Sequence, residues 1–291
     1  MRFKLSQWLT ASRLRLNNFH LVIILKVVIV LIIPIYMSIT AAQVNDLRQR
    51  TGISMMQCKK ALEEANGNEE KAIEILRKKG AAKAAEKADR VMKEGIVIAE
   101  VKGDKAVVVK LTCETDFVSK NPEFIALANK AAAEALKKGA EKAEAVMADE
   151  LKALFVRLGE NMALEIKMME GKGIGTYIHT TGKIATLVRL KDSDEDKARD
   201  IAMHIAAMSP KHINPEDVPT AEVEKEKEIW KELLKKEGKP EAMFDKIMIG
   251  KERKYREENA LSKQSFVKNG DQTVEQYLSG NTVIEFMRKS I

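Results

Sequence analysis

The sequence predicts an α+β protein with an N-terminal three-helix domain, a core of two repeated α+β subdomains, and an antiparallel helical hairpin protruding from the second. Three observations carry this. Residues 39–82 hold three short helical segments separated by glycine turns. The hydrophobic period then changes from helical to strand-like, at Gly95 and again at Gly173, and each time a hairpin, a loop and a capped helix follow in that order. Residues 220–258 are charged and helical on both sides of Gly238-Lys239-Pro240.

Residues 1–36 stand apart from that plan. The run from Phe19 to Tyr36 is apolar but is broken by Lys26 and ended by Pro34, so it falls short of the roughly 18–20 residues of a spanning helix. A basic start and Thr40-Ala41-Ala42 behind the run give it the outline of a signal peptide. The rival expectation is that the native chain starts at Met37 and has no such segment.

Within 39–82, Val44 and Leu47 share one side of a first helix, which Thr51-Gly52 breaks. Ser54 is placed to cap a second, where Met55, Cys58, Ala61 and Leu62 fall at helical spacing. Of Met55 and Met56, one is expected in the core and the other at the surface. Asn66-Gly67 ends this helix, Asn68 caps a third, and Gly80 is expected to stop it. Glu69 and Glu70 at its start and Lys78 and Lys79 near its end suit the helix dipole. Residues 83–94 read as a charged helical linker.

The first core subdomain, 95–170, opens with β-branched runs on either side of Gly103-Asp104, a hairpin signal. Asn121 caps the next helix, and Pro122 takes its first position, where a missing N–H costs nothing. That helix is expected to bury Phe124, Leu127 and Ala128. A helix over about 145–158 and an alternating strand over 163–169 follow. The second subdomain, 171–219 with 259–291, starts with a hairpin turning at Thr181-Gly182, after which Ser193 is expected to cap a helix rich in acids at its start. In 220–258, Val223, Trp230, Leu233 and Leu234 are expected to face Phe244, Ile247 and Met248 across two antiparallel helices. LSKQSFV from 261 and TVIEFM from 282 return to the second subdomain.

Charge and composition exclude several function classes. The formal charge is +7, but Arg2, Lys4, Arg13, Arg15 and Lys26 stand without any acid in 1–36, and the rest carries 45 basic against 43 acidic groups. A nucleic-acid-binding body would want a concentrated basic face. Cys58 and Cys113 make neither a zinc pattern nor a disulfide framework and read as buried thiols. His20, His179, His204 and His212 lack metal-ligand spacing, and no phosphate loop or nucleophile motif occurs. No cofactor, metal or catalytic set is expected.

One stretch resists this reading. In LTCETDFVSKNPEF, residues 111–124, Phe117 sits among Thr115, Asp116, Ser119 and Lys120, in what should be a solvated loop between a strand and a capped helix. Taken alone, Phe117 reads as a core residue at a loop-to-helix junction and Asp116 as a turn residue or cap.

Its context resembles the elongation factor Ts family. VNDLRQRTGISMMQCKKALEEANG is similar to that family's N-terminal signature and CETDFVSKN to its second. GENMALEI, IAMHIAAMSP, INPEDV and LSKQSFV follow in the family's order, so the likeness runs from about Ile39 to the C-terminus. Ser265 stands where a proline is common. The resemblance favours Met37 as the start and implies that the three-helix domain is ubiquitin-associated-like and the 220–258 arm a coiled-coil or dimerisation-type hairpin.

It further implies guanine-nucleotide exchange without covalent chemistry: binding to elongation factor Tu carrying GDP, displacement of the bound Mg²⁺ and release of the nucleotide. Phe117 would be the wedge and Asp116 its polar companion, with Thr115 and Val118 shaping the loop. Met55, Met56 and His204 would make further partner contacts. A cytoplasmic protein is implied, as a possible homodimer or 2:2 complex, without nucleic acid and, if the chain starts at Met37, without membrane. Two other classes remain from the residues themselves: an exported or membrane-tethered adaptor using residues 1–36, and an enzyme using Cys113 with a histidine.

Overall fold

The structure, a computed structural model, describes residues 39–86 and 90–291. The expectations for residues 1–36 lie outside the described residues. Helices and small antiparallel sheets make up the fold, the α+β class the sequence predicts. Among the described residues no helix is long and apolar enough to cross a membrane. The chain divides into two compact units between Lys79 and Gly80.

The first unit holds α1 (Ala41–Thr51), α2 (Met55–Glu64) and most of α3 (Glu69–Glu86). Thr40 and Gln43 cap α1 reciprocally, satisfying two otherwise orphaned backbone N–H groups. Gly52, at φ 68°, ends α1 in the left-handed conformation. Val44, Leu47, Cys58, Ala61, Leu62, Ala72 and Leu76 form a small buried core. Ser54 precedes α2, but its hydroxyl makes no capping bond.

Two expectations for this region are corrected. Both Met55 and Met56 lie at the surface, 49% and 63% exposed, because Ile53 takes the buried place at the mouth of α2. Gly80 does not stop α3, which runs on to Glu86. The alanine-rich sequence that follows has high helix propensity, enough to outweigh the ~1 kcal/mol that one interior glycine costs. The expected helical linker is helical as far as Glu86, and Glu94 already belongs to a strand.

In the second unit, β1 (Glu94–Lys102) and β2 (Lys105–Cys113) form a hairpin around Gly103-Asp104, paired from Glu94 with Cys113 to Lys102 with Lys105. Strand β3 (Met162–Glu170) adds antiparallel to the other side of β2. A single turn, α4 (Asp116–Ser119), leads to α5 (Pro122–Lys138) and α6 (Ala140–Leu158). Val107, Val109, Leu111 and Cys113 turn one way to pack on Phe124, Ala128, Ala131, Met147 and Leu154. Ala106 and Val108 turn the other way, with Val97 and Met169, and meet Ala185 and Leu187 of a second sheet. Strand β2 is thus buried on both faces, which is why it reads as a nearly continuous apolar run.

That second sheet orders β4 (Ile174–Ile178), β5 (Ile184–Leu190) and β8 (Val283–Ser290) with β5 in the middle. Helix α7 (Glu195–Met208) covers its outer face through Ala198, Ile201, Ala202 and Ile205 against Val188 and Leu190. Phe266, in the short strand β6 (Ser265–Phe266), joins this cluster with Val274 and Leu278 of α10 (Val274–Leu278), reached through β7 (Asn269–Thr273). The cap of α7 is Asp194, not Ser193: its carboxylate accepts from the Lys197 N–H at 3.0 Å. A full negative charge there also complements the helix dipole, which a serine hydroxyl does not.

Gly175 on β4 lets α7 come close. A Cβ there would lie 2.4 Å from the backbone carbon of Ala198. Gly175→Ala is expected to destabilise the protein by about 1–3 kcal/mol through overpacking, read as a lower urea midpoint.

Helices α8 (Thr220–Lys236) and α9 (Phe244–Asn259) run antiparallel, tied by Tyr255 to Glu222 at 2.9 Å and Lys227 to Glu252 at 2.9 Å. Val223, Leu234 and Met248 are buried, whereas Leu233 points outward at 45% exposure. Val223, Lys227, Trp230 and Leu234 follow coiled-coil spacing, and Leu233 falls off that stripe.

Candidate functional site

The site is built where β2 ends. Thr115 is extended, at φ −125° and ψ 158°, and turns the chain into α4. Within α4, Val118 and Ser119 are buried, and Val118 joins the core beneath α5 and α6. Successive residues of a helical turn diverge by about 100°. With Val118 inward, Phe117 projects outward and is 84% exposed. The expected loop is therefore a helical turn, and Phe117 is no core residue.

Both ends of the turn are held. Downstream, Asn121 caps α5 by accepting from the Glu123 N–H at 2.8 Å, and Ser119 Oγ donates to the Asp116 carbonyl at 3.0 Å. Upstream, Glu160 reaches over from the α6–β3 connection. Its Oε2 accepts from the Glu114 and Thr115 N–H groups at 3.1 and 3.0 Å, and its Oε1 accepts from Thr115 Oγ1 at 2.6 Å. In return Glu114 Oε1 accepts from the Asn161 N–H at 2.8 Å, while Glu114 Oε2 takes a bond from Arg90 at 3.1 Å. Sequence reasoning missed Glu160. The available signal was an acid between a helix-ending glycine, Gly159 at φ 75°, and a strand.

Asp116 starts the turn and pairs with Lys120 at 2.7 Å. The hydrogen bond and charge of Lys120 hold its carboxyl below the usual aspartate range, so it presents a negative charge beside the ring. Cys113 is fully buried and donates its thiol to the Thr115 carbonyl at 3.2 Å. Burial, reinforced by the Glu160 carboxylate, pushes its pKa up to about 12. Reactive cysteines are accessible thiolates at working pH; this one is a buried thiol that bonds to the backbone. Among the described residues no group of His, Cys, Asp and Glu could hold a metal ion.

The other expected contacts are distributed differently. Met55 and Met56 present two flexible apolar side chains on the first unit. His204 is fully buried: Nε2 lies 3.0 Å from Gln264 Oε1, Nδ1 accepts from the Val267 N–H at 3.1 Å, and the ring stacks on Phe266. With both nitrogens occupied, this ring organises the 264–267 segment, and the expected surface contact through it is corrected.

Burial holds the His204 pKa below its ordinary 6.5. Below that pH an unfolded chain takes up a proton that the folded ring refuses. Stability should therefore fall as pH drops through 6.5, by at most about 1.4 kcal/mol per pH unit for this one group, and be insensitive to it above. Urea midpoints at about pH 7.5 and 5.5 should differ less in His204→Gln than in the unmodified protein.

A lone exposed apolar side chain needs no explanation. Here the exposed phenylalanine sits on a turn braced from both sides with a charge beside it, a fixed apolar surface rather than a freely moving one. Comparison with known proteins gives the kind of protein. Residues 114–291 match the family model described as Elongation factor TS. The chain is 43% identical over 263 residues to the elongation factor Ts of Marinobacter nauticus (strain ATCC 700491 / DSM 11845 / VT8), a likeness covering 87% of this chain and 91% of that relative. The chain belongs to the elongation factor Ts family, a family of translation elongation factors.

Proposed function

We propose that this protein binds elongation factor Tu in its GDP form and promotes GDP release by displacing the bound Mg²⁺, so that GTP can rebind. The observation that carries the proposal is the 84% exposure of Phe117 on a turn braced at both ends. A GTPase holds GDP through backbone N–H groups at its phosphate loop and through a Mg²⁺ that bridges to phosphate oxygens. Mg²⁺ demands near-ideal octahedral geometry, so small displacements of its ligands are costly. A rigidly mounted ring driven in beside that site loosens the ion without touching the nucleotide. Asp116 supports the same contact with its charge, and Thr115 and Val118 set the turn.

Magnitudes show that the ring does not act alone. Burying one phenylalanine contributes about 1.5–3 kcal/mol, whereas weakening GDP ten-thousand-fold needs about 5.5 kcal/mol of coupling. In this reading Met55 and Met56 supply supplementary contacts, because methionine adapts to irregular surfaces. Coupling is reciprocal, so GDP must expel this protein as strongly as the protein expels GDP. In this reading the three-helix unit is ubiquitin-associated-like, and the two sheets with their helices are a duplicated core. The α8–α9 arm, with Ile229, Leu233 and Ile249 exposed, reaches further along the partner or pairs with a second copy. The site of action is the cytoplasm.

The test is release of fluorescent GDP from preloaded elongation factor Tu into excess unlabelled nucleotide. Substoichiometric protein should accelerate release through many turnovers; a rate equal to the spontaneous one removes the proposal.

A further inference from the structure

We infer that Glu160 is the positioning residue of this site: its carboxylate clasps the end of β2 to the α6–β3 connection and so sets the angle at which Phe117 is presented. The inference rests on the exchange reading for its functional consequence, and on geometry alone for the clasp.

A four-residue turn cannot hold itself, because helix nucleation is unfavourable and one turn gains too few bonds to offset it. The ordinary remedy is a threonine cap. Thr115 stands at that position, yet its side chain makes no capping bond. Its hydroxyl donates to Glu160 Oε1 at 2.6 Å instead. The support has been moved outside the turn. Glu160 takes three donors with its two oxygens, all from Glu114 and Thr115. Bonds to an ionised acceptor are roughly twice as strong as neutral ones. Glu114 bonds back to the Asn161 N–H at 2.8 Å, so the two segments hold each other reciprocally. Two fixed points then define Phe117: this clasp in front and buried Val118 behind.

A positioning role differs measurably from a purely stabilising one. The full-length protein is compared with Glu160→Ala, Glu160→Gln, Phe117→Ala and the Glu160→Ala/Phe117→Ala double variant. Hydrogen–deuterium exchange in Glu160→Ala should quicken at least about tenfold at the amides of Glu114 and Thr115, which lose charge-assisted bonds, with protection kept at Val107–Leu111. Glu160→Gln retains one acceptor oxygen and should fall between, which keeps the test available if the alanine variant folds poorly. GDP release should slow in Glu160→Ala, and the double variant should be no slower than Phe117→Ala.

Unchanged amide exchange at Glu114 and Thr115 would overturn the clasp, as would protection lost evenly through β2. A double variant showing the product of the two single losses would overturn action through Phe117. If Phe117→Ala alone exchanges at the wild-type rate, the exchange reading fails, while the amide measurement still decides the clasp.

Discussion

Phe117→Ala should slow GDP release from elongation factor Tu about 10- to 100-fold, the equivalent of burying one phenylalanine in a partner, and leave the folded protein as stable as before. The ring is 84% exposed, so its removal opens no cavity and strips no contact from the core. Surface changes of this kind stay within about 0.5 kcal/mol of neutral. Asp116→Ala should weaken exchange less, since its charge is already shared with Lys120. The two measurements are stopped-flow release of labelled GDP and a thermal melt. A wild-type rate for Phe117→Ala would remove the wedge; a large drop in melting temperature would show that the ring is structural after all.

Phe124→Ala should do the reverse. Phe124 is fully buried beneath β2, among Leu111, Val118 and Ala128, and its loss leaves a cavity those neighbours can only partly fill. The expected cost is about 3–5 kcal/mol, a large share of the ~5–15 kcal/mol that holds a typical domain together. Chemical denaturation followed by circular dichroism measures it. A shift below about 1 kcal/mol would mean that the α5 core collapses around the gap far better than cores usually do. Two phenylalanines seven residues apart, one exposed and one buried, thus test in one protein whether function and stability divide between them.

How much of this was legible in advance varies with the range of the interaction. Asn121-Pro122 announced the start of α5 because a cap and a proline at the first helical position act within a few residues. Gly103-Asp104 announced its hairpin for the same reason. The TDF stretch stands out as an aromatic out of pattern. Its composition could not say whether the ring points inward or outward; that followed from Val118 and Ser119 taking the core side of the turn.

Failures cluster where a local signal competed with another. Ser193 and Asp194 are both capping residues, and the charged one won. Gly80 met a strong helix former downstream and lost. Leu233 and Leu234 are adjacent leucines whose roles differ by a helical phase that only packing against α9 selects. His204 sat at the edge of an apolar face, and its burial depends on Gln264 and Val267, about 60 residues away.

Glu160 shows the boundary most clearly, since its partners Glu114 and Thr115 lie some 45 residues back along the chain. Caps, turns and strand alternation act within a few bonds of backbone geometry, so the order of residues settles them, and with them the α+β class. Which side chain faces solvent, and which carboxylate steadies the turn that carries Phe117, is settled only when distant segments pack together, because burial and hydrogen-bond partnership belong to the closed fold.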